Sequence, residues 1–316
     1  MIKNLPSSNA YDFLKKIAKK HGYKKRINLK LRACSTCKTY PKKNFLEKIL
    51  YKKNIYINYP VFICEKCGLG QQTFEFDEKF HNFFYKEIIS KNLFLNKKII
   101  SNNFQLSYKN GIYLNKKFNN YFQKKRVILD IGCGTAGLLK YFNKLGHITY
   151  GNEPNKNYYR FAKKFLKNIK NDNFENLDYK KNFFDVVFIM GSIEHIHNPQ
   201  LVINKINRVT KKNAILIIDT KGYPSNILSN YFNFNHHRCY TKKTLNSFLE
   251  ANYWSKQFLQ FDIKYSKSKL NPKNYSVKNK PNKIKKGNLL GLFVKNKNKK
   301  VKFSKDNFFY KFLKNN

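Results

Sequence analysis

From Val127 onward the chain alternates short apolar runs with amphipathic stretches. This pattern predicts an α/β fold, with a parallel sheet covered by helices on both faces. Val127–Ile131, Ile148–Asn152, Phe184–Met190 and Ala214–Asp219 are apolar runs of strand length. Between them, Leu138–Leu145 reads as a helix closing at Gly146, and a second helix follows Glu153-Pro154 through Leu166. The strand that should come next is short and weakly marked. Asn198-Pro199 supplies an N-cap and a first-turn proline for a third helix, with Leu201, Val202, Ile206 and Val209 facing inward. A helix over Lys242–Ala251 and strands over Phe258–Tyr265 and Leu289–Val294 complete the pattern.

Ahead of this region the periodicity is weaker. Ser8–Gly22 places Phe13, Leu14, Ile17 and Ala18 at helical spacing and ends at a glycine. Its apolar face is short, which favours docking on the protein itself over a membrane surface. Residues 76–123, rich in Phe, Tyr and Lys, read as a helical linker with no identifiable chemistry. The expected organisation is a basic N-terminal helix (1–30), a cysteine module (31–75), the linker (76–123), the main domain (124–298) and a basic tail (299–316). A Lys/Asn/Pro-rich loop, about 267–287, interrupts the main domain.

Composition changes this picture only a little. Lys and Arg number 64 against 18 Asp and Glu, a formal charge of +46, and aromatic residues make up 16%. The aromatic content excludes a wholly disordered chain despite a mean hydropathy of −0.65. Only six of the basic residues are Arg, and Asn reaches 44. Lys, Asn, Ile, Phe and Tyr share AT-rich codons, so coding bias alone would produce much of the charge. A nucleic-acid reader would favour Arg for its forked contacts, although a field this positive attracts polyanions. No apolar run reaches the length of a membrane span and no signal peptide is visible, so a cytoplasmic protein is expected.

Four of the six cysteines form two pairs, Cys34-x2-Cys37 and Cys64-x2-Cys67. In a chain without an export signal, such pairs read as ligands for one structural Zn2+ rather than as disulfides. Each tight turn aims two thiolates at the ion, and two turns complete a tetrahedron. Metal would then staple a module too small to hold itself together.

Gly132-x-Gly134-x-x-Gly137 follows the first apolar strand and opens a helix, the setting of a nucleotide-binding loop, and Glu153 follows at the spacing of a ribose-binding acid. A nicotinamide cofactor, and hence an NAD-dependent oxidoreductase, is one reading. Asp130, two residues before the first glycine, speaks for another. A carboxylate there repels a pyrophosphate and suits the amino and sulfonium groups of S-adenosylmethionine.

The run Val127-Ile128-Leu129-Asp130-Ile131-Gly132-Cys133-Gly134-Thr135-Ala136-Gly137 resembles the first motif of class I S-adenosylmethionine-dependent methyltransferases. Phe184–Pro199, containing Gly191-Ser192-Ile193-Glu194-His195-Ile196-His197, is similar to their fourth strand and the loop after it. Asn235-His236-His237-Arg238-Cys239-Tyr240-Thr241 resembles a segment beyond their fifth strand. Tyr59–Gln71, with the second cysteine pair, looks like the zinc-binding domain that precedes sugar C-methyltransferases. The resemblance implies a Rossmann-like, mostly parallel seven-stranded sheet preceded by a zinc-stapled module. It implies cofactor contacts at Asp130, Gly132, Cys133, Gly134, Glu153, Asn173, Phe174, Gly191 and Ser192. It also implies a small acceptor, such as a sugar or nucleotide-sugar for surface polysaccharide. An RNA acceptor gripped by the zinc module and basic tail is the alternative. For a hydroxyl acceptor, His236 and His195 are the candidate bases, because imidazole titrates near neutral pH, and His197 and His237 stand beside them.

Overall fold

The computed structural model describes residues 9–41, 45–52, 55–84, 87, 97–223, 236–262 and 288–296. The front of the chain forms helix α1 (Asn9–Lys20), strands β1 (Leu29–Leu31), β2 (Phe45–Lys52), β3 (Ile55–Ile63), β4 (Gly70–Gln72) and β5 (Phe74–Phe76), and helix α2 (Glu78–Phe83). The long helix α3 (Lys97–Lys117) leads into β6 (Val127–Ile131), α4 (Gly137–Lys144), β7 (Ile148–Asn152), α5 (Lys156–Ala162) and β8 (Ile169–Lys170). Next come β9 (Phe184–Met190), α6 (Pro199–Val209), β10 (Thr210–Thr220) and β11 (Gly222–Tyr223). The last elements are β12 (Arg238–Thr241), α7 (Lys242–Glu250), β13 (Trp254–Asp262) and β14 (Asn288–Lys295).

Seven strands form the main sheet in the order β13-β14-β10-β9-β6-β7-β8. Pairing is parallel from β10 to β8, and antiparallel between β10 and β14 and between β14 and β13. The alternation of side chains along each strand divides the core. Ile128, Val186, Phe188, Ile215 and Ile217 pack with Leu138, Leu139, Phe142 and Ala162. Their neighbours Leu129, Val187, Ile189, Leu216 and Ile218 pack with Val202, Ile203, Ile206, Leu245 and Phe248. Strands buried in this way read as continuous apolar runs, which is why they are legible in the sequence.

The front of the chain is joined to this sheet. Strand β12, from beyond the fifth parallel strand, pairs antiparallel with β4, so a second sheet runs in the order β11-β12-β4-β3-β2. Phe62, Leu69, Cys34, Cys64 and Cys67 share one apolar cluster with Tyr240 and Leu245.

Three expectations are corrected. Leu201 is 48% exposed rather than inward-facing, because its neighbours Val202 and Ile203 fill the inner face of α6. The strand expected over Phe258–Tyr265 begins four residues earlier, at buried Trp254, whose indole N–H donates to Asn207. The helix after Pro154 is shorter than expected, beginning behind an Asn155 cap. Residues 1–8, Asn235, the 267–287 loop and the 299–316 tail lie outside the described residues. Among the described residues no helix is long and apolar enough to cross a membrane.

Candidate active site

The chain runs β6 to β7 to β8 in one direction and then returns to β9 and β10 on the other side of β6. A ligand crevice is expected where the strand order reverses, beyond the carboxyl ends of β6 and β9. A cavity of about 760 Å³ lies there, lined on one side by Ile131, Gly132, Gly134, Glu153, Tyr158, Asn173, Phe174, Gly191 and Ser192. Seven of the nine expected cofactor contacts are therefore on its wall, among them Asn173, which donates to the Asn82 side-chain oxygen at 2.6 Å.

The loop between β6 and α4 is built for close approach. Gly132 has φ +71, and a Cβ there would lie 2.7 Å from the Ser192 hydroxyl. Gly137 sits beneath α3, where a Cβ would meet the Phe104 carbonyl oxygen at 2.2 Å. No side chain within the loop caps α4; Ser107 of α3 does so, its hydroxyl oxygen accepting from the Leu138 N–H at 2.9 Å. Asn103, one turn earlier, donates to the Tyr158 hydroxyl at 2.6 Å.

Glu153 ends β7 with both carboxylate oxygens occupied by the backbone. Oε2 accepts from Gly134 N at 2.9 Å and Oε1 from Asn155 N at 2.7 Å. Each oxygen keeps a second lone pair for a ligand hydroxyl. Burial pushes this carboxyl up to about 7. Asp130 and Cys133, both expected at the cofactor, are sealed beneath the cavity wall. The Cys133 sulfur packs in the core within 2.9 Å of the space a Cβ on Gly151 would fill. Asp130 Oδ1 is buried without a hydrogen-bond partner. Burial, and then the neighbouring Glu153, push its carboxyl up to about 8. Two buried carboxylates under one loop form a site that a cation would stabilise.

The opposite wall comes from the front of the chain: Asn28, Lys30, Asp77, Glu78, His81 and Asn82. Asp77 caps α2, accepting from Phe80 N at 2.9 Å and from Asn28 N at 3.2 Å. His195, Ile196, His197 and Leu201 close the end of the cavity. His236 is buried behind that wall, its ring 4.7 Å from the His195 ring centroid. His237 serves the fold: Nε2 meets His81 Nε2 at 3.1 Å, and Nδ1 faces Arg32 and the Gln72 side-chain carbonyl. Burial, then Arg32, hold His237 well below the ordinary imidazole range, and burial takes His81 down to about 3.

Residues 129–218 match the family model described as a methyltransferase domain. This stretch is similar to that family. Two curated relatives match about a third of the chain, both named ubiquinone biosynthesis O-methyltransferase. The protein from Glaesserella parasuis is 29% identical over 34% of this chain and 50% of its own length. That from Pelagibacter ubique is 31% identical over 31% of this chain and 42% of its own length. The chain thus spans half or less of the curated relatives it matches. A solved Burkholderia thailandensis structure, 1,6-didemethyltoxoflavin-N1-methyltransferase with bound 1,6-didemethyltoxoflavin and S-adenosylhomocysteine, shares the fold. Its TM-score is 0.52 at 12% identity, over 79% of this chain and all of that one.

The loop after β9 is wired to the cysteine cluster. Cys34, Cys37, Cys64 and Cys67 bring four sulfurs within 4.8 Å of one another, with separations of 3.4 to 3.6 Å along three edges. A tetrahedron of Zn–S bonds near 2.3 Å has edges of about 3.8 Å, so the donor set fits zinc. The two turns are copies: Lys38 N donates to Cys34 O and Gly68 N to Cys64 O, with positive φ at Lys38 and Gly68. Ser35, inside the first turn, accepts from Arg238 Nε, and the same guanidinium donates to the Ile196 and His197 carbonyl oxygens. Arg238 thereby clamps the loop that carries His195.

Sequence reasoning missed the front wall. Residues 76–123 were expected to be a linker without chemistry, yet Asp77, Glu78, His81 and Asn82 line the cavity, and α3 caps the glycine-loop helix. The signal available was local: Asp77 followed by Glu78 and an apolar Phe80 marks a helix start.

Proposed function

We propose that this chain is an S-adenosylmethionine-dependent methyltransferase acting on a small acceptor, a sugar or nucleotide-sugar. The unpartnered Asp130 oxygen beside Glu153, at the reversal of the strand order, carries the reading of the cofactor. Glu153 would hold the ribose hydroxyls through its remaining lone pairs. Asn173 and Phe174 would border the adenine, with Gly132, Gly134, Gly191 and Ser192 around the methionine part. Asp130 and Glu153 favour a cation, which disfavours a dinucleotide pyrophosphate. When bound, the cofactor supplies an electrophilic methyl group on a sulfonium sulfur.

The charge on the described cavity wall supports a small acceptor over RNA. Lys and Arg outnumber Asp and Glu 64 to 18 in the chain, yet Asp77, Glu78, Glu153 and Glu175 line the cavity with Lys30 alone opposing them. Lys30 is itself paired with Glu75 at 3.0 Å. A polyanion gains little from such a wall, whereas a polyhydroxylated molecule finds Asn, His and carboxylate partners. The ubiquinone O-methyltransferase relatives support a small hydroxyl acceptor in the same way.

In this reading His195, on the wall, takes the proton from the acceptor hydroxyl, with His236 against its ring. The wall formed by α2 and residues 28–30 orients the acceptor, and four thiolates would hold a structural zinc that fixes that wall. The protein would work in the cytoplasm. The direct test supplies methyl-labelled S-adenosylmethionine with a panel of sugars, nucleotide-sugars and total RNA. Label on a sugar is expected; label on RNA at physiological salt would overturn the acceptor reading.

A further inference from the structure

Glu194 is fully buried at the end of the loop after β9, between the two candidate histidines and the end of β10. A carboxylate oxygen of Glu194 and a ring nitrogen from each of His195 and His236 lie within 4.8 Å of one another. The carboxylate is fixed from behind: Oε2 accepts from the Thr220 hydroxyl at 2.8 Å, and Oε1 faces Lys221 N at 3.5 Å. Its main chain is fixed too, because the Glu194 carbonyl oxygen accepts from His237 N at 2.8 Å. One rigid carboxylate therefore serves both imidazoles, and the loop that carries His195 is locked to the segment that carries His236.

We propose that Glu194 is a positioning residue that holds the His195–His236 pair and raises its basicity, so that the pair accepts a proton from the acceptor. The inference rests on the methyl-transfer reading above. A neighbouring anion stabilises an imidazolium, so the pair becomes a stronger base where it touches the acceptor. The charge resides on Glu194 rather than on the nearby Asp219. Burial pushes Glu194 up, but His195 and His236, together with hydrogen bonds from the backbone and Thr220, leave the carboxyl below its ordinary value. Burial and Glu194 push Asp219 well above the usual carboxylate range, so Glu194 is the more readily ionised of the two. The Tyr240 hydroxyl, whose pKa burial pushes above the physiological range, also faces Glu194, while the Lys221 charge acts on Asp219 and meets Glu194 only through its backbone N–H.

The test needs no acceptor. Histidine ring resonances of the metal-replete full chain are followed by NMR across pH, with His236→Asn and His195→Asn variants to assign them. In Glu194→Gln the titration midpoints of His195 and His236 should fall by about 1 pH unit or more, while that of His147, which burial and Arg126 hold low just ahead of β7, stays in place. In the unmodified protein the Glu194 carboxyl carbon should shift with the same midpoint as an imidazole, which reads the coupling without any variant. Unchanged midpoints in a folded Glu194→Gln protein would overturn the proposal and leave Glu194 a loop anchor. So would a stoichiometric divalent cation that abolishes both titrations, because the three ligands would then form a metal centre. S-adenosylhomocysteine binding, measured on the same samples, separates the two claims. Its loss in the unmodified protein would sink the methyl-transfer reading while leaving the histidine coupling as measured.

Discussion

The two walls of the cavity are built in opposite ways. The glycine-loop wall is local: β6, the 132–136 turn and α4 are consecutive, and Glu153 ends the next strand. The front wall is assembled at long range. Asp77 and His81 reach the cavity only because β4 pairs with β12, more than 160 residues away, and because Arg238 ties the first cysteine turn to the His195 loop. A contiguous motif tolerates almost any surroundings that keep its strand and helix. A long-range wall depends on every link that holds it, which makes the cysteine cluster the point of greatest leverage.

Metal removal should therefore produce the largest effect. Chelation, or Cys64→Ser with Cys67→Ser, should unfold the front wall and abolish acceptor turnover, since structural zinc contributes on the order of 10 kcal/mol to small modules. If the walls are as separate as described, the glycine loop should still bind S-adenosylhomocysteine within about tenfold of the replete protein, an effect on the order of 1.4 kcal/mol. Elemental analysis should find one zinc per chain; complete folding without metal would break the comparison.

A change on the other wall should give the reverse pattern. Asp130→Ala should weaken S-adenosylmethionine binding by more than about tenfold, because it removes the buried charge beneath the loop, and leave the melting of the front sheet unchanged. In the unmodified protein the Asp130 carboxyl, at about 8, is mostly protonated in the ligand-free state near neutral pH, and that of Glu153, at about 7, is partly so. Cofactor binding near pH 7 should release protons, visible as a binding enthalpy that depends on the buffer. A buffer-independent enthalpy would contradict the carboxylate pair.

The histidines between the walls give a smaller, pH-dependent effect. His81 at about 3, with His197 and His237 also held low, binds fewer protons in the folded protein than in the unfolded chain. Stability should be full above about pH 6.5 and decline as pH falls towards 3, as the unfolded chain gains protons that the folded one refuses. His81→Gln should flatten that decline in a chemical-denaturation series. The smallest effect belongs to the trans cap: Ser107→Ala should cost about 1 kcal/mol of stability, as loss of a helix cap does, and loosen cofactor binding only modestly.

Legibility in the sequence follows the same division. The main strands could be read because burial on both faces makes them continuous apolar runs, and the cysteine spacing announced its own cluster. Strand β8 was expected but could not be placed, because it is two residues long, with one of them, Lys170, exposed. Asp130 could be singled out by its charge, but its burial beneath the loop is a packing result that no motif contains. The front wall escaped because its contributors acquire meaning only through β4–β12 pairing, which leaves no periodic trace. His236 and His195 could be listed as bases from residue type alone. Their contact with Glu194 required the fold.

The central claim is that the glycine-loop wall receives a cation-bearing S-adenosylmethionine. Calorimetric titration of the zinc-replete protein, first with S-adenosylmethionine and then with NAD at moderate salt, tests it most directly. Micromolar binding of the first and none of the second is the predicted result. Binding of NAD alone would contradict the account and recast the reaction as hydride transfer.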